Sequence, residues 1–221
     1  MSGKKPIVKV GPALAVRPKA KQKMDGRARR ARDSLGDALV DLMHERPFKS
    51  ITVQDVLDRA GVGRSTFYTH YRDKDDLFMS DVEEFWEMMS SMLERNGETS
   101  MRVAPVRELF AHIADVKVFR DALAASGKMH DVMELGQGQF ARAIERRLVK
   151  LTSANGGGPI QFAATAHALA GALFSSLMWW IDRGMPGSAA EMDEAFHRFV
   201  WSGVNASAQV PSLKPAKSAS R

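Results

Sequence analysis

Residues Gly61 to Tyr71 read GVGRSTFYTHY, and most of their polar groups are neutral or cationic hydrogen-bonding groups. The stretch carries a guanidinium (Arg64), three hydroxyls (Ser65, Thr66, Thr69), two phenols (Tyr68, Tyr71) and an imidazole (His70), with no carboxylate among them. Such groups suit electron-rich acceptors, above all phosphate oxygens and the edges of nucleic-acid bases. Arg64 can offer its fork to guanine, and Thr69 can hydrogen-bond a base or pack on a thymine methyl. Tyr68 and His70 suit phosphate oxygens, and Lys74 adds charge just beyond. Thr52 and Gln54 open the preceding helix, whose first N–H groups also suit a phosphate.

These groups act together only if helices hold them in one plane. Thr52 followed three residues later by Asp55 predicts a capping box, which starts a helix there. Val53, Val56, Leu57 and Ala60 repeat at helical spacing, and Gly61 suits a left-handed cap. A further helix over Arg64 to Tyr71 puts Phe67 and Tyr71, four apart, on one face. With Val62 they are expected to pack on Val53, Val56 and Leu57. Leu35, Leu39 and Leu42 of the first helix complete a three-helix core. Burying that face leaves Arg64, Ser65, Tyr68 and Thr69 outside, flanked by Thr66 and His70. Two short helices joined through AGVG form a helix-turn-helix, whose second helix fits a major groove. Pro47 ends the first helix. Asp73 is placed to cap a long fourth helix from Lys74 to Arg95, roughly 33 Å at 1.5 Å per residue.

The stretch ITVQDVLDRAGVGRSTFYTHYRDKDDLF, Ile51 to Phe78, resembles the TetR/AcrR family of transcriptional regulators. The resemblance rests on Ala60-Gly61-Val62, on Thr66-Phe67-Tyr68-Thr69-His70-Tyr71, and on Lys74 to Leu77. It covers about 50 residues, from the first helix into the fourth. Gly63 departs from it, because the family more often has Ser or Thr there. The resemblance implies a homodimer whose two recognition helices read a palindromic operator in double-stranded DNA. It also implies C-terminal helices that form an effector pocket and a dimer interface, with effector binding releasing the DNA.

The 221 residues contain no cysteine, which excludes disulfides and thiolate chemistry and suits a cytoplasmic setting. The net charge is +6, and eleven Lys or Arg with one acidic residue fall between Met1 and Arg32. That places the basic charge in an arm, while the remainder is slightly acidic. The expected organisation is a disordered basic arm at 1–26, a helix-turn-helix domain at 27–73, a helical ligand-binding and dimerisation domain at 74–204, and a disordered tail at 205–221. Pro12 and Arg17 interrupt the short apolar stretch VGPALAV, so it is not read as a signal peptide. No alternation of period two stands out, so the fold is expected to be all-α.

In the C-terminal half, helices are expected at 104–115, 117–125, 129–151, 159–183 and 188–203. Residues 160–181 contain no formally charged residue. Their length fits a membrane span, but Gln161, Thr165, His167, Ser175, Ser176 and many alanines argue for a buried helix. Ala166 and Ala170 would let another helix approach, and Leu173, Leu177 and Trp180 would fill a subunit seam with Phe196 and Val200. Two such helices from each subunit would make a four-helix bundle. Adaptable methionines among aromatics, namely Trp86, Met89, Phe110, Met133, Phe174 and Met178, are candidates for an effector pocket. The histidines show no metal-ligand spacing, GQG at 136–138 lacks a dinucleotide loop's remaining glycine, and no catalytic set is recognisable. No cofactor, metal or enzymatic activity is therefore expected. The rival readings are a sequence-tolerant architectural DNA-binding protein, and a small-molecule carrier or enzyme using the C-terminal helices.

Overall fold

The computed structural model describes residues 26–152 and 159–207, and every regular element in them is helical. The basic arm, the GGG connector and the C-terminal tail lie outside the described residues. Helix α1 spans Gly26–Glu45, α2 Val53–Ala60, α3 Arg64–His70 and α4 Lys74–Ser90. They are followed by α5 (Met92–Arg95), α6 (Val106–Asp115), α7 (Lys117–Ser126), α8 (Met129–Thr152), α9 (Pro159–Asp182) and α10 (Ala189–Ser207). A single turn of 3-10 helix, Phe48–Ser50, follows Pro47 after α1.

The local signals at α2 act as the sequence suggests. The Thr52 hydroxyl accepts from the Asp55 N–H at 3.2 Å, and the Asp55 carboxylate accepts from the Thr52 N–H at 2.8 Å. This reciprocal pair is the capping box. At the other end Gly61 sits at φ 64° and donates its N–H to the Leu57 carbonyl. That left-handed conformation strains any residue with a side chain. Gly63 caps α3 without any side-chain hydrogen bond, as its lack of a hydroxyl requires.

Phe67 is fully buried and Tyr71 is 4% exposed, packed with Leu35, Leu39, Leu42, Val56 and Leu57. Burial of each such ring or aliphatic group contributes about 1.5–3 kcal/mol, which is what locks the short helix α3 in orientation. The same core continues through Leu77, Phe78, Val82 and Trp86 of α4 into the C-terminal helices. Helix α4 therefore belongs to both halves, and the apolar core runs unbroken across the expected boundary at 73/74.

The expected run from Lys74 to Arg95 is divided. Ser91 lies at φ −87°, ψ 0°, and its hydroxyl donates to the Glu87 carbonyl at 2.7 Å. A serine hydroxyl that bonds back to the preceding turn competes with the backbone ladder, and α5 restarts after it. In the C-terminal half α8 packs along α9, and α10 against α6. Gly136 of α8 marks the tightest approach, because a Cβ there would lie 2.6 Å from Trp86 Cε2 and 2.8 Å from Phe174. Arg102 ties the loop before α6 to Glu108 of α6 and to Asp193 of α10.

The seam expected from Ala166, Ala170, Leu173, Leu177, Trp180, Phe196 and Val200 is corrected. All seven are buried inside the protomer, between 0% and 8% exposed. The spacing identified an apolar stripe, but the stripe is satisfied by the chain's own helices. The outward faces of α9 and α10 instead expose Ile160 (86%), Trp179 (50%) and Phe199 (60%). Among the described residues one helix, Ile160–Asp182, is long and apolar enough to cross a membrane, with mean hydropathy 1.3. One face of it packs on α8.

Candidate nucleic-acid interface

Arg64, Ser65, Tyr68 and Thr69 are all exposed, Tyr68 at 52%, while Thr66 and His70 are half-buried at the flanks. The cause is the burial of Phe67 and Tyr71 on the opposite side of the same two turns. Phe67 also meets the Tyr68 ring edge-on, at 5.2 Å between centroids. The Thr69 hydroxyl donates to the Ser65 carbonyl at 2.9 Å, which leaves its methyl and oxygen lone pairs outward.

Two expected contact residues meet. Arg64 Nη2 donates to Gln54 Oε1 at 2.7 Å, and Gln54 Nε2 donates to Asp58 Oδ1 at 2.7 Å. The Gln54 side chain thus links the outer faces of α2 and α3 and positions the guanidinium. The sequence places Gln54 only as a helix-start residue, and its pairing with Arg64 depends on how the two helices cross.

Two expectations about phosphate binding meet competition within the chain. The N–H of Thr52 is not free, because Asp55 accepts it. Hydrogen bonds from the Thr52 hydroxyl and N–H, with Arg46 adding a third, hold the Asp55 carboxyl down at about 2. A carboxylate therefore already sits at the start of α2. Lys74, half-buried, donates from Nζ to the Phe48 carbonyl at 2.7 Å and to the Ile51 carbonyl at 2.6 Å. Its ammonium also lies 4.6 Å from the Phe48 ring centroid. An ammonium has three donors, so one remains for a phosphate. Its larger role, tying α4 to the turn before α2, was not visible in the spacing.

The helix-turn-helix is joined to the rest of the chain by polar links as well as by core. Arg32 of α1 donates to the Tyr71 phenol at 3.1 Å and pairs with Glu84 of α4 at 3.1 Å. Burial pushes the Tyr71 phenol up, so it stays neutral. Lys128, before α8, pairs with Asp75 of α4 and lies 5.9 Å from the Phe48 ring centroid.

Beyond α4 lies a narrow cavity of about 40 Å³. Its wall comprises Val82, Phe85 and Trp86 of α4, His112 and Ile113 of α6, Val116, then Phe119, Arg120 and Leu123 of α7, Met129, Val132 and Met133 of α8, and Ile181 of α9. Trp86 and Met133 were expected there. Met89, Phe110, Phe174 and Met178 do not line it. Phe174 packs on Trp86 and Phe140, and Phe110 on Trp180, as core rings. The sequence analysis missed Arg120 and His112. The signal was legible for Arg120: Val116, Phe119, Arg120 and Leu123 stand at i, i+3, i+4 and i+7, so a cation falls within an apolar stripe. Among the described residues no three metal-ligating side chains converge.

A three-helix head with an exposed cationic and hydroxylic α3, on a larger helical body, is a helix-turn-helix fold. Residues 35–80 match the family model of bacterial regulatory proteins, tetR family. Over 68 residues the chain is 34% identical to an uncharacterized HTH-type transcriptional regulator, YxbF, of Bacillus subtilis (strain 168). That match takes in 30% of this chain, which spans 18% of the length of that curated relative. A putative TetR-family transcriptional regulator from Syntrophomonas wolfei superposes with TM-score 0.61 at 17% identity, over 80% of this chain and 96% of that one. The dihydroxyacetone kinase operon activator DhaS superposes with TM-score 0.59 at 14% identity, over 80% of this chain and 97% of that one. Residues 35–80 are thus similar to the helix-turn-helix domain of the tetR family, and the overall fold is that of the two solved structures.

Proposed function

We propose that the chain is a ligand-responsive repressor that binds a palindromic operator as a homodimer through α3, in the cytoplasm where the DNA is. The observation that carries this is the outward face of α3, with Arg64 already held in position by Gln54 while Phe67 and Tyr71 are buried behind it. A bidentate arginine at the N-terminal end of a groove-entering helix reads guanine directly.

The dimer reading is supported by the exposed Trp179 and Phe199 on the outer faces of α9 and α10. Each is a large apolar side chain left in water that a subunit contact would cover. A two-fold partner would bring a second α3 into reach of the same duplex. The ligand response is supported by the position of α7. Its Phe119 lines the cavity and packs 6.5 Å from Phe78 of α4, and α7 also packs on α1 and on the 3-10 turn. A molecule larger than the cavity has to displace part of its wall, and two helices of that wall, α4 and α7, bear on the helix-turn-helix. A ligand shifts the equilibrium only by binding the displaced state better than the DNA-competent one.

The test is selection of duplexes from a random pool by the purified protein. The expected product is an inverted repeat whose half-sites lie roughly 34–36 Å apart or a multiple of it. Recovery of duplexes without any shared sequence would refute specific reading and favour an architectural role. With the selected site placed before a reporter gene, lower transcription is expected, and higher transcription would overturn the repressor assignment.

A further inference from the structure

Two side chains stand out in the cavity wall. The other eleven lining residues are aliphatic, aromatic or thioether. Arg120 is only 8% exposed. Its Nη1 donates to the Ile113 carbonyl at 2.8 Å and approaches the Met185 sulfur at 3.6 Å. Among the described residues Nε and Nη2 donate to nothing, and no carboxylate forms an ion pair with the guanidinium. The neighbouring Asp121 carboxylate feels its charge without making contact with it, and a buried cation lacking an ion pair at contact distance is costly.

His112 is the second. Its ring packs 4.9 Å from Phe85, and its nitrogens make no hydrogen bond among the described residues. Burial lowers its pKa, against a small opposing pull from Asp115, so the ring is neutral and can still donate one N–H. The indole N–H of Trp86, also on the wall, is already taken by the Val132 carbonyl at 2.9 Å. Arg120 and His112 are thus the two polar side chains in the wall of this cavity.

Building on the ligand-responsive reading above, we propose that the cavity's ligand is an apolar carboxylic acid, its carboxylate bound by the Arg120 guanidinium, with the His112 imidazole as the other polar group of the wall. The guanidinium fork matches the two carboxylate oxygens, and the ionised head supplies the missing counter-charge. The apolar remainder lies along Phe85, Phe119, Met129 and Met133. At about 40 Å³ the cavity now has room for roughly three waters. Entry of the acid therefore requires it to widen, and the two methionines are the flexible part of the wall.

The experiment measures binding by calorimetry to the full-length protein. Hexanoate, decanoate and 4-phenylbutyrate are each compared with the primary alcohol of the same skeleton. At least one acid is expected to bind roughly tenfold or more tightly than its alcohol, the usual gain from a charged hydrogen bond. Arg120→Met should bring the acid to the level of the alcohol, and His112→Phe should weaken the acid less. If Arg120→Met fails to fold by circular dichroism, Arg120→Lys keeps the charge without the fork and should shrink the preference. No binding by any acid, equal binding of acid and alcohol, or a preference that survives in a folded Arg120 variant would overturn the proposal. Operator affinity is read separately. An acid that binds the cavity without releasing DNA sinks the ligand-response reading and leaves the ligand class standing. A neutral compound that occupies the cavity and releases DNA does the reverse.

Discussion

Two glycines on one helix should respond oppositely to alanine. At Gly136 a Cβ would lie 2.6 Å from Trp86 Cε2 and 2.8 Å from two ring atoms of Phe174. Both rings are buried and pack on each other at 5.3 Å between centroids. Trp86 is further held by its hydrogen bond to Val132. Both rings must retreat, each by about 1 Å, to recover ordinary carbon contact. Overpacking of this kind costs about 1–3 kcal/mol, while alanine in place of glycine inside a helix returns about 0.5–1 kcal/mol. The net loss for Gly136→Ala is about 0.5–2 kcal/mol, or roughly 1–8 °C in Tm at 2–4 °C per kcal/mol for a chain of this size. Gly138, two residues on, is the control. A Cβ there would meet only the Arg142 guanidinium, at 3.8 Å. Gly138→Ala should therefore raise Tm by roughly 1–4 °C through propensity alone. Scanning calorimetry at one fixed protein concentration measures both, because the proposed self-association would make Tm concentration-dependent. Phe174→Leu should restore part of the Gly136→Ala loss, a coupling that a double-mutant cycle detects. A Tm that rises in Gly136→Ala, or equal changes at both glycines, would refute the packing argument.

Four further outcomes are expected. Arg64→Ala should lose about 1–3 kcal/mol on the selected operator. An equal loss on random duplexes would show that Arg64 reads no base. Lys74→Met should lower Tm by several degrees, because two buried carbonyl bonds are lost, while flattening the plot of log affinity against log salt by at most about one unit; an unchanged Tm would contradict the tie to Phe48 and Ile51. The Asp55 carboxyl is held at about 2, below its ordinary 3.8, so its contribution is present above about pH 4 and lost as the pH falls through about 2. Asp55→Asn should remove that acid sensitivity of α2, and an unaltered acid limb in unfolding experiments would count against the capping box. Trp179→Glu should convert the dimer to a folded monomer by sedimentation and weaken operator binding, whereas a dimer that persists would move the interface elsewhere.

The three-helix head was readable because its signals are local. Thr52 and Asp55 are three residues apart, Gly61 acts on its own torsion, and Phe67 and Tyr71 share a face by helical period alone. Neighbours in sequence were enough to say which side chains of α3 turn outward. The C-terminal half is different. Spacing marked the stripe of Ala166, Leu173 and Trp180 as apolar, yet burial against the chain's own α8 and burial against a second subunit leave the same pattern. Only the packing showed that this stripe is internal and that Trp179 and Phe199 are presented instead. Lys74 shows the same limit, since its hydrogen bonds reach residues 23 and 26 positions away. The cavity is formed by five helices that meet only in three dimensions. Sequence alone marked the short helices α2 and α3, the capping of α2 and the outer face of α3, because torsion and periodicity act over a few residues. Tertiary structure decided which apolar faces close on each other and set both Arg120 and His112 in the wall of one cavity, because burial depends on what else the chain brings near.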